Sequence, residues 1–262
     1  MDQETQSTLS EHLKNLGKDI GLAVALLTRI PVPQRAEMVP ERMARAQRAF
    51  PLVGAMVGLA AGLVDRCLLA IAVPELAAAA VALGAGALLT GALHEDGLAD
   101  VGDGFGGGRD REKKLAIMRD SRIGAYGVLA LLVSFVAKCS ALASLPIAEI
   151  IPALIVAHAL ARAAIPVVTA NMPFAREDGL GRSAGRPDTA SAVIAAVIAV
   201  VIALLCLPVG NALLAVLVTG AAAAAMAVLA WRQIGGVTGD VFGAIEQTAE
   251  TAVLLILAAQ YA

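Results

Sequence analysis

Charged and aromatic side chains are both scarce in this sequence. Of its 262 residues, 16% are charged and 3% are aromatic, whereas 58% are hydrophobic. A water-soluble domain carries about 25% charged residues, so this chain lacks the polar surface that such a domain needs. The net charge of −2 and the shortage of aromatic rings provide neither a basic field nor a stacking surface for nucleic acid. We therefore expect an integral membrane protein that binds no nucleic acid.

Cysteine is also rare, and its spacing carries no motif. Cys67, Cys139 and Cys206 lie far apart, each within an apolar segment. Zinc sites and redox sites place two cysteines close together in sequence, typically as CxxC. We expect these three residues to be small apolar packing residues.

Seven apolar segments are each long enough to cross about 30 Å of hydrocarbon as a helix. A shorter apolar run, 20–30, predicts a helix that lies at the membrane interface or enters the bilayer only partway. The expected fold class is all-α: a polytopic transmembrane helical bundle of about seven spans plus a short N-terminal interfacial or re-entrant helix. We expect one integral membrane domain over 1–262. The seven segments are 50–73, 76–93, 125–145, 147–170, 189–208, 211–231 and 242–261.

Basic residues are concentrated in alternate connections between these segments. Five arginines lie in 29–48 and six basic residues lie in 94–124. The connections near 74–75, 146–149 and 208–210 contain no lysine or arginine. Because basic connections stay on the cytoplasmic side of a membrane, we predict that the basic connections face the cytoplasm.

An acidic segment follows the second predicted span. It contains Glu95, Asp96, Asp100 and Asp103. In a helix, Asp96, Asp100 and Asp103 lie on one face, where their charges repel each other unless a cation neutralises them. Carboxylates are hard ligands suited to Mg²⁺ or Ca²⁺, and Mg²⁺ is the usual ion in phosphoryl transfer. We predict a metal site formed by these four acids; the alternative is a solvated cytoplasmic loop.

Two residues near the acidic segment are candidates for substrate binding. His94 can be a metal ligand, a hydrogen-bond partner of a substrate or an ordinary interfacial residue. Arg122 precedes the third span and can hold phosphate with its planar guanidinium. The alternative for Arg122 is the positive charge that commonly flanks a span.

Ionisable residues also lie inside two predicted spans. Glu246 and Glu250 are four residues apart in the last span, as are His158 and Arg162 in the fourth. Such groups are costly in a membrane and usually pair with each other or line a functional cavity, so we expect these two pairs to meet. We further predict that Asp240 and Glu246 complete the site begun by the acidic segment.

Three other charged residues are expected in the opposite half of the bundle. We interpret them as structural pairs or as side chains that reach towards the interface. They are Asp65, Arg66 and Lys138.

Five motifs follow each other along the chain: Leu27–Pro33, Phe50–Gly54, Gly91–Phe105, Asp120–Gly124 and Gly236–Asp240. They resemble the motifs of the cobalamin synthase family, the adenosylcobinamide-GDP ribazoletransferases, and occur in that family's order. The resemblance implies a Mg²⁺-dependent enzyme of the bacterial inner membrane, acting late in coenzyme B12 assembly. It implies that adenosylcobinamide-GDP is joined to α-ribazole, or to its 5′-phosphate, with release of GMP. Other late cobalamin-assembly enzymes are possible partners.

That chemistry suggests roles for the candidate residues. The acidic helix face would supply Mg²⁺ ligands, with Asp96 and Asp100 catalytic. Asp120 is a candidate to accept the proton of the attacking hydroxyl. Phosphate and the rest of the substrates would be held by His94, Arg29, Arg122, Asp240 and Glu246.

Two other functions fit parts of the pattern. Asp96-Gly-Leu-Ala resembles the start of the CDP-alcohol phosphotransferase motif, but Asp100 stands where that motif has arginine. Carboxylates within membrane spans are also typical of transporters. A transporter, however, is expected to have broken helices in two matching halves.

Overall fold

Helices account for all the regular secondary structure that the computed structural model describes, over residues 17–32 and 39–261. Across these residues there is no β-strand, and only an isolated bridge joins Phe174 to Val237. The all-α expectation is confirmed.

Twelve helices follow each other along the described chain, and six of them are long and apolar enough to cross a membrane. These six are α3, α7, α8, α10, α11 and α12, which makes the protein multi-pass. The helices are α1 (17–27), α2 (Pro40–Ala46), α3 (Phe50–Ala70), α4 (Glu75–Thr90), α5 (Leu93–Gly107), α6 (Arg111–Ile117), α7 (Ala125–Ser144), α8 (Ile150–Asn171), α9 (Leu180–Ser183), α10 (Thr189–Cys206), α11 (Val209–Ile234) and α12 (Gly239–Ala258).

A sharp bend separates α4 from α5. The two helices meet at 94° and together are apolar and long enough to count as a seventh span. The bend is made by Gly91 (φ 71°) and Ala92 (φ 56°), both left-handed. The side chain of Arg29 packs over Gly91, where a Cβ atom would lie 2.4 Å from its Nε. The predicted span 76–93 therefore ends earlier, at Thr90, and the acidic segment forms a helix of its own.

Two helices form the centre of the bundle. In α8 and α12, 78% and 72% of the apolar 18-residue stretch that could cross the membrane is buried inside the protein. The corresponding share is 28–39% in the other four long helices. Helices that are apolar on every side but buried on only one belong at the lipid boundary. The outer helices therefore face lipid, and α8 and α12 carry the interior.

Small residues bring α3 against α8. Gly54, Gly58 and Gly62 are spaced four apart on one face of α3. A Cβ atom on Gly54 or Gly58 would lie 2.3 Å from a backbone carbonyl oxygen of α8. This is the close backbone approach that small residues allow between membrane helices.

We predict that Gly58→Ala destabilises the protein. The added methyl group must push α3 away from α8, and such overpacking costs about 1–3 kcal/mol. Gly84→Ala in α4 is the matched control, because nothing lies within 4 Å of its added Cβ atom. Thermal unfolding in detergent should show a lower midpoint for Gly58→Ala only. Equal midpoints for the two variants would contradict this packing.

Candidate active site

A cavity of about 240 Å³ opens at one end of the bundle. Its polar wall comes from four connections that carry basic residues: 29–48, 94–124, 171–187 and 232–240. These contribute Gln47, then His94 and Asp96, then Arg176 and Asp178, and finally Asp240. The apolar wall consists of Leu26, Leu27, Phe50, Leu93, Ile165 and Phe242.

The cavity depends on a close crossing of α5 and α12. A Cβ atom on Gly97 would lie 2.7 Å from the carbonyl oxygen of Asp240, and one on Gly243 would lie 2.9 Å from that of His94. Two glycines therefore let the two backbones touch. As a result, Asp96 of α5 and Asp240 of α12 reach the same cavity wall.

Asp240 lies in the first turn of α12, where the helix dipole favours a negative charge. Thr238 caps this helix: its hydroxyl accepts a hydrogen bond from the amide of Val241 at 3.3 Å. The same hydroxyl donates to Asp240 Oδ2 at 3.2 Å. Arg176, from the connection between α8 and α10, forms an ion pair with the same carboxylate. Asp240 is thus held in place from two sides.

The carboxylates of α5 are less fully compensated. Asp96 is exposed at the cavity wall. Asp100 lies one turn further on and interacts electrostatically with Asp240, Asp96 and Arg176. Within the described parts of the chain, neither Asp96 nor Asp100 has a salt-bridge partner. Two hard carboxylate ligands without salt-bridge partners fit a divalent cation such as Mg²⁺.

Glu95 points away from Asp96 and towards α12. Its Oε1 accepts a hydrogen bond from Gln247 at 3.2 Å. Its Oε2 is buried and has no partner among the described residues. One carboxylate oxygen of Glu95 thus remains available beside the acidic face, although Glu95 does not line the cavity.

Asp103, predicted as a metal ligand, has a different partner in the structure. Its two oxygens accept hydrogen bonds from the amides of Gly124 (2.6 Å) and Gly127 (2.9 Å). These amides lie at the N-terminal end of α7. Asp103, which belongs to α5, therefore caps α7. Metal binding by Asp103 stays a prediction, and its visible role is to join α5 to α7.

Asp120 and Arg122 lie outside the cavity and pair with each other. Arg122 donates to the two carboxylate oxygens at 3.0 and 2.6 Å. These hydrogen bonds lower the pKa of Asp120 to about 2. A carboxylate with so low a pKa is a poor proton acceptor, so the structure does not favour the predicted catalytic role. Arg29, at the α4–α5 bend, does not line the cavity either.

A buried polar cluster lies between α8 and α12, deeper than the cavity. Arg162 forms an ion pair with Glu246, and His158 Nδ1 lies 2.8 Å from Glu250 Oε2. All four side chains are at most 7% exposed. The expectation that the two intramembrane pairs meet is confirmed.

Lys138 joins this cluster, which confirms its interpretation as a structural pair. Its Nζ donates to Glu250 Oε1 at 2.9 Å and to Gln247 Oε1 at 2.8 Å. The two side chains meet because Lys138 is about as far along α7 as Glu250 is along α12. Asp65, by contrast, is buried and has no ion-pair partner in 17–32 or 39–261.

His94 connects the cavity to the cluster. It lines the cavity, and its Nδ1 lies 3.4 Å from Arg162 Nη2 and 3.7 Å from Glu246 Oε2. Glu246, predicted to bind substrate, is fully buried and does not reach the cavity wall. Its closest described contact with the cavity is through His94.

A family model described as cobalamin-5-phosphate synthase matches residues 19–258. The chain belongs to this family. Several relatives carry the name adenosylcobinamide-GDP ribazoletransferase. The one from Bradyrhizobium diazoefficiens is 45% identical over 251 residues, covering 95% of this chain and 96% of the relative. The one from Azorhizobium caulinodans is 44% identical over 247 residues, covering 90% and 94%. No solved structure matches the chain.

Membership of the family confirms the resemblance seen in the motifs. It makes the protein a membrane transferase of cobalamin biosynthesis. It gives no support to a CDP-alcohol phosphotransferase or a transporter.

Three polar residues of the cavity wall were not predicted from the sequence: Gln47, Arg176 and Asp178. A repeated tetrapeptide could have revealed one of them. Glu-Asp-Gly-Leu occurs at 95–98 and again at 177–180, and both copies place their aspartate and glycine at the cavity wall. Asp178 also accepts hydrogen bonds from Arg119 at 2.5 and 2.7 Å, which ties the α8–α10 connection to the one before α7.

We predict that Arg162→Met strongly destabilises the protein. The change leaves the Glu246 carboxylate buried without its ion-pair partner, and breaking a buried pair costs about 3–5 kcal/mol. Arg122→Met is the control, because it breaks an exposed pair whose loss has little effect. Unfolding in mixed detergent and SDS micelles should separate the two variants. Wild-type stability of Arg162→Met would show that the cluster does not hold α8 to α12.

Proposed function

We propose that this protein joins adenosylcobinamide-GDP to α-ribazole, or to its 5′-phosphate, and releases GMP. The names of relatives that match nearly the whole chain support the reaction. The supporting observation in the site is that Asp96 and Asp240, from two different helices, meet at one cavity wall beside Arg176.

The reaction is a displacement at phosphorus. A ribose hydroxyl oxygen forms a bond to the phosphorus that is linked to cobinamide. The bond from that phosphorus to the bridging oxygen breaks, and GMP leaves with the electron pair. The hydroxyl proton passes to a base. The barrier falls when the negative charge is neutralised and the two reactants are held in line.

Asp96 and Asp100 of α5 and Asp240 of α12 are the residues that we propose to hold Mg²⁺. All three are hard ligands, and Asp96 and Asp100 lack salt-bridge partners in the described structure. When bound, Mg²⁺ would neutralise charge on the diphosphate.

Arg176 is the proposed phosphate-binding residue. Its contact with Asp240 occupies one end of the guanidinium, and arginine has five N–H donors arranged as a fork that matches phosphate oxygens. It is partly buried at the cavity wall, where the attraction to an anion is stronger than in open water. Arg176 thus takes the role that the sequence suggested for Arg122.

We place the cavity on the cytoplasmic side of the bacterial inner membrane. Support comes from the basic residues in all four connections that form it. Both substrates would then arrive from the cytosol.

We predict that Asp96→Asn and Asp240→Asn each reduce GMP release about 100-fold or more, because each removes a carboxylate ligand of the Mg²⁺ that would neutralise the diphosphate charge. Asp110→Asn is the matched control: its side chain caps α6 by accepting from Lys113, and asparagine caps equally well. The assay is GMP release by purified protein from adenosylcobinamide-GDP and α-ribazole. Near-normal GMP release by both cavity variants, at normal folded yield, would show that this cavity is not the active site.

We also predict that chelation by EDTA abolishes GMP release and that added Mg²⁺ restores it. The ion is expected to neutralise substrate charge that the protein's own side chains leave uncompensated. Ca²⁺ should restore less, because it is larger and accepts looser geometry. Full activity in EDTA would contradict the metal site.

A further inference from the structure

Gln47 is a buried side chain with one unused hydrogen-bonding atom. It lies in the short 3-10 turn that joins α2 to α3, is 2% exposed and lines the cavity. Its Nε2 donates to the carbonyl oxygens of Ala184 (3.2 Å) and Gly185 (3.0 Å). Its Oε1 has no partner among the residues that the structure describes.

The orientation of this amide is fixed by its neighbours. The oxygen and nitrogen of a glutamine are told apart by their hydrogen-bond partners. Here two carbonyl oxygens face one end of the amide, and carbonyl oxygens only accept. The nitrogen must therefore occupy that end, which leaves the oxygen without a donor among the described residues.

A buried oxygen at a cavity wall that lacks a donor among the described residues is a candidate to bind a ligand. Leaving a buried acceptor without a donor costs about 1–3 kcal/mol, and most such groups in proteins have a partner. Gln47 is a wall residue of the cavity that holds the acidic site. Near it, Leu27 and Phe50 supply apolar surface suited to the face of a planar base.

We infer that Gln47 determines substrate specificity: its Oε1 accepts a hydrogen bond from an N–H or O–H group of a nucleoside bound in this cavity. The inference rests on the proposed function. Two sources supply such a donor, a ribose hydroxyl of α-ribazole that does not attack and the N–H groups of guanine. The benzimidazole ring of α-ribazole has no N–H group once it is joined to ribose, so its base is not a source.

A site built around one hydrogen bond discriminates against an analogue that lacks it, because the buried partner is then left unpaired. For a neutral acceptor we expect a loss of about 10-fold or more in kcat/KM. The same analogue should lose nothing further in a variant without the acceptor.

The experiment measures kcat/KM for GMP release with substrates that each lack one donor. One arm uses α-ribazole without its 2′-hydroxyl or without its 5′-hydroxyl. The other uses adenosylcobinamide diphosphates in which hypoxanthine or 2-aminopurine replaces guanine. Each substrate is tested with wild type, with Gln47→Met and with Gln233→Met. Gln233 is the control because its Oε1 accepts from Lys114 away from the cavity.

The expected result is that wild type and Gln233→Met discriminate against one analogue about 10-fold or more, and that Gln47→Met has lost this discrimination. The arm in which this occurs identifies the donor. Should Gln47→Met not fold, Gln47→Asn withdraws the oxygen by one methylene and should lose the discrimination too. Equal rates for all analogues in wild type, or unchanged ratios in the Gln47 variant, overturn the inference. Absence of GMP release from the natural pair in wild type overturns the proposed function instead.

Discussion

The pairing of charges inside the membrane is the constraint on which the rest of this structure depends. Glu246 and Glu250 of α12 would be prohibitively costly in hydrocarbon on their own. Arg162 and His158 of α8, and Lys138 of α7, lie against them. A buried pair cannot slide without leaving a charge unpaired, so α12 has one depth and one rotation relative to its neighbours. Asp240 lies in the first turn of α12. The buried ion pairs, deeper in the bundle, therefore fix the position of the cavity wall.

Glycine contacts act together with these charges. The crossing at Gly97 and Gly243 lets α5 touch α12, which brings Asp96 to Asp240. His94 occupies the junction, with one ring nitrogen towards the buried cluster and its side chain at the cavity wall. The cluster neutralises its own acids, whereas Asp96 at the cavity wall and Asp100 one turn further along α5 have no salt-bridge partners in the described structure. That contrast separates the part of the molecule that stabilises from the part that we propose binds metal and substrate.

Hydropathy and residue spacing could predict the bundle and much of the site. Helical periodicity placed Glu246 with Glu250 and His158 with Arg162, because four residues make about one turn. The bend at Gly91 and Ala92 was not predictable, since the apolar run continues through it. The partner of Lys138 was not predicted, because which residues share a depth in the bundle depends on where each helix begins. No sequence motif marks Gln47, because the carbonyl oxygens that orient its amide belong to residues more than a hundred positions away in the chain.

The central claim is that carboxylates of α5 and α12 form one metal site, and direct binding of Mn²⁺ in place of Mg²⁺ tests it most directly. Electron paramagnetic resonance of the purified protein counts bound and free Mn²⁺ without any turnover. The account predicts one saturable site that Asp96→Asn and Asp240→Asn each weaken about 10-fold or more, as expected when a carboxylate is lost from a hard-cation site, whereas Asp110→Asn retains it. Unchanged Mn²⁺ affinity in both cavity variants would contradict the account.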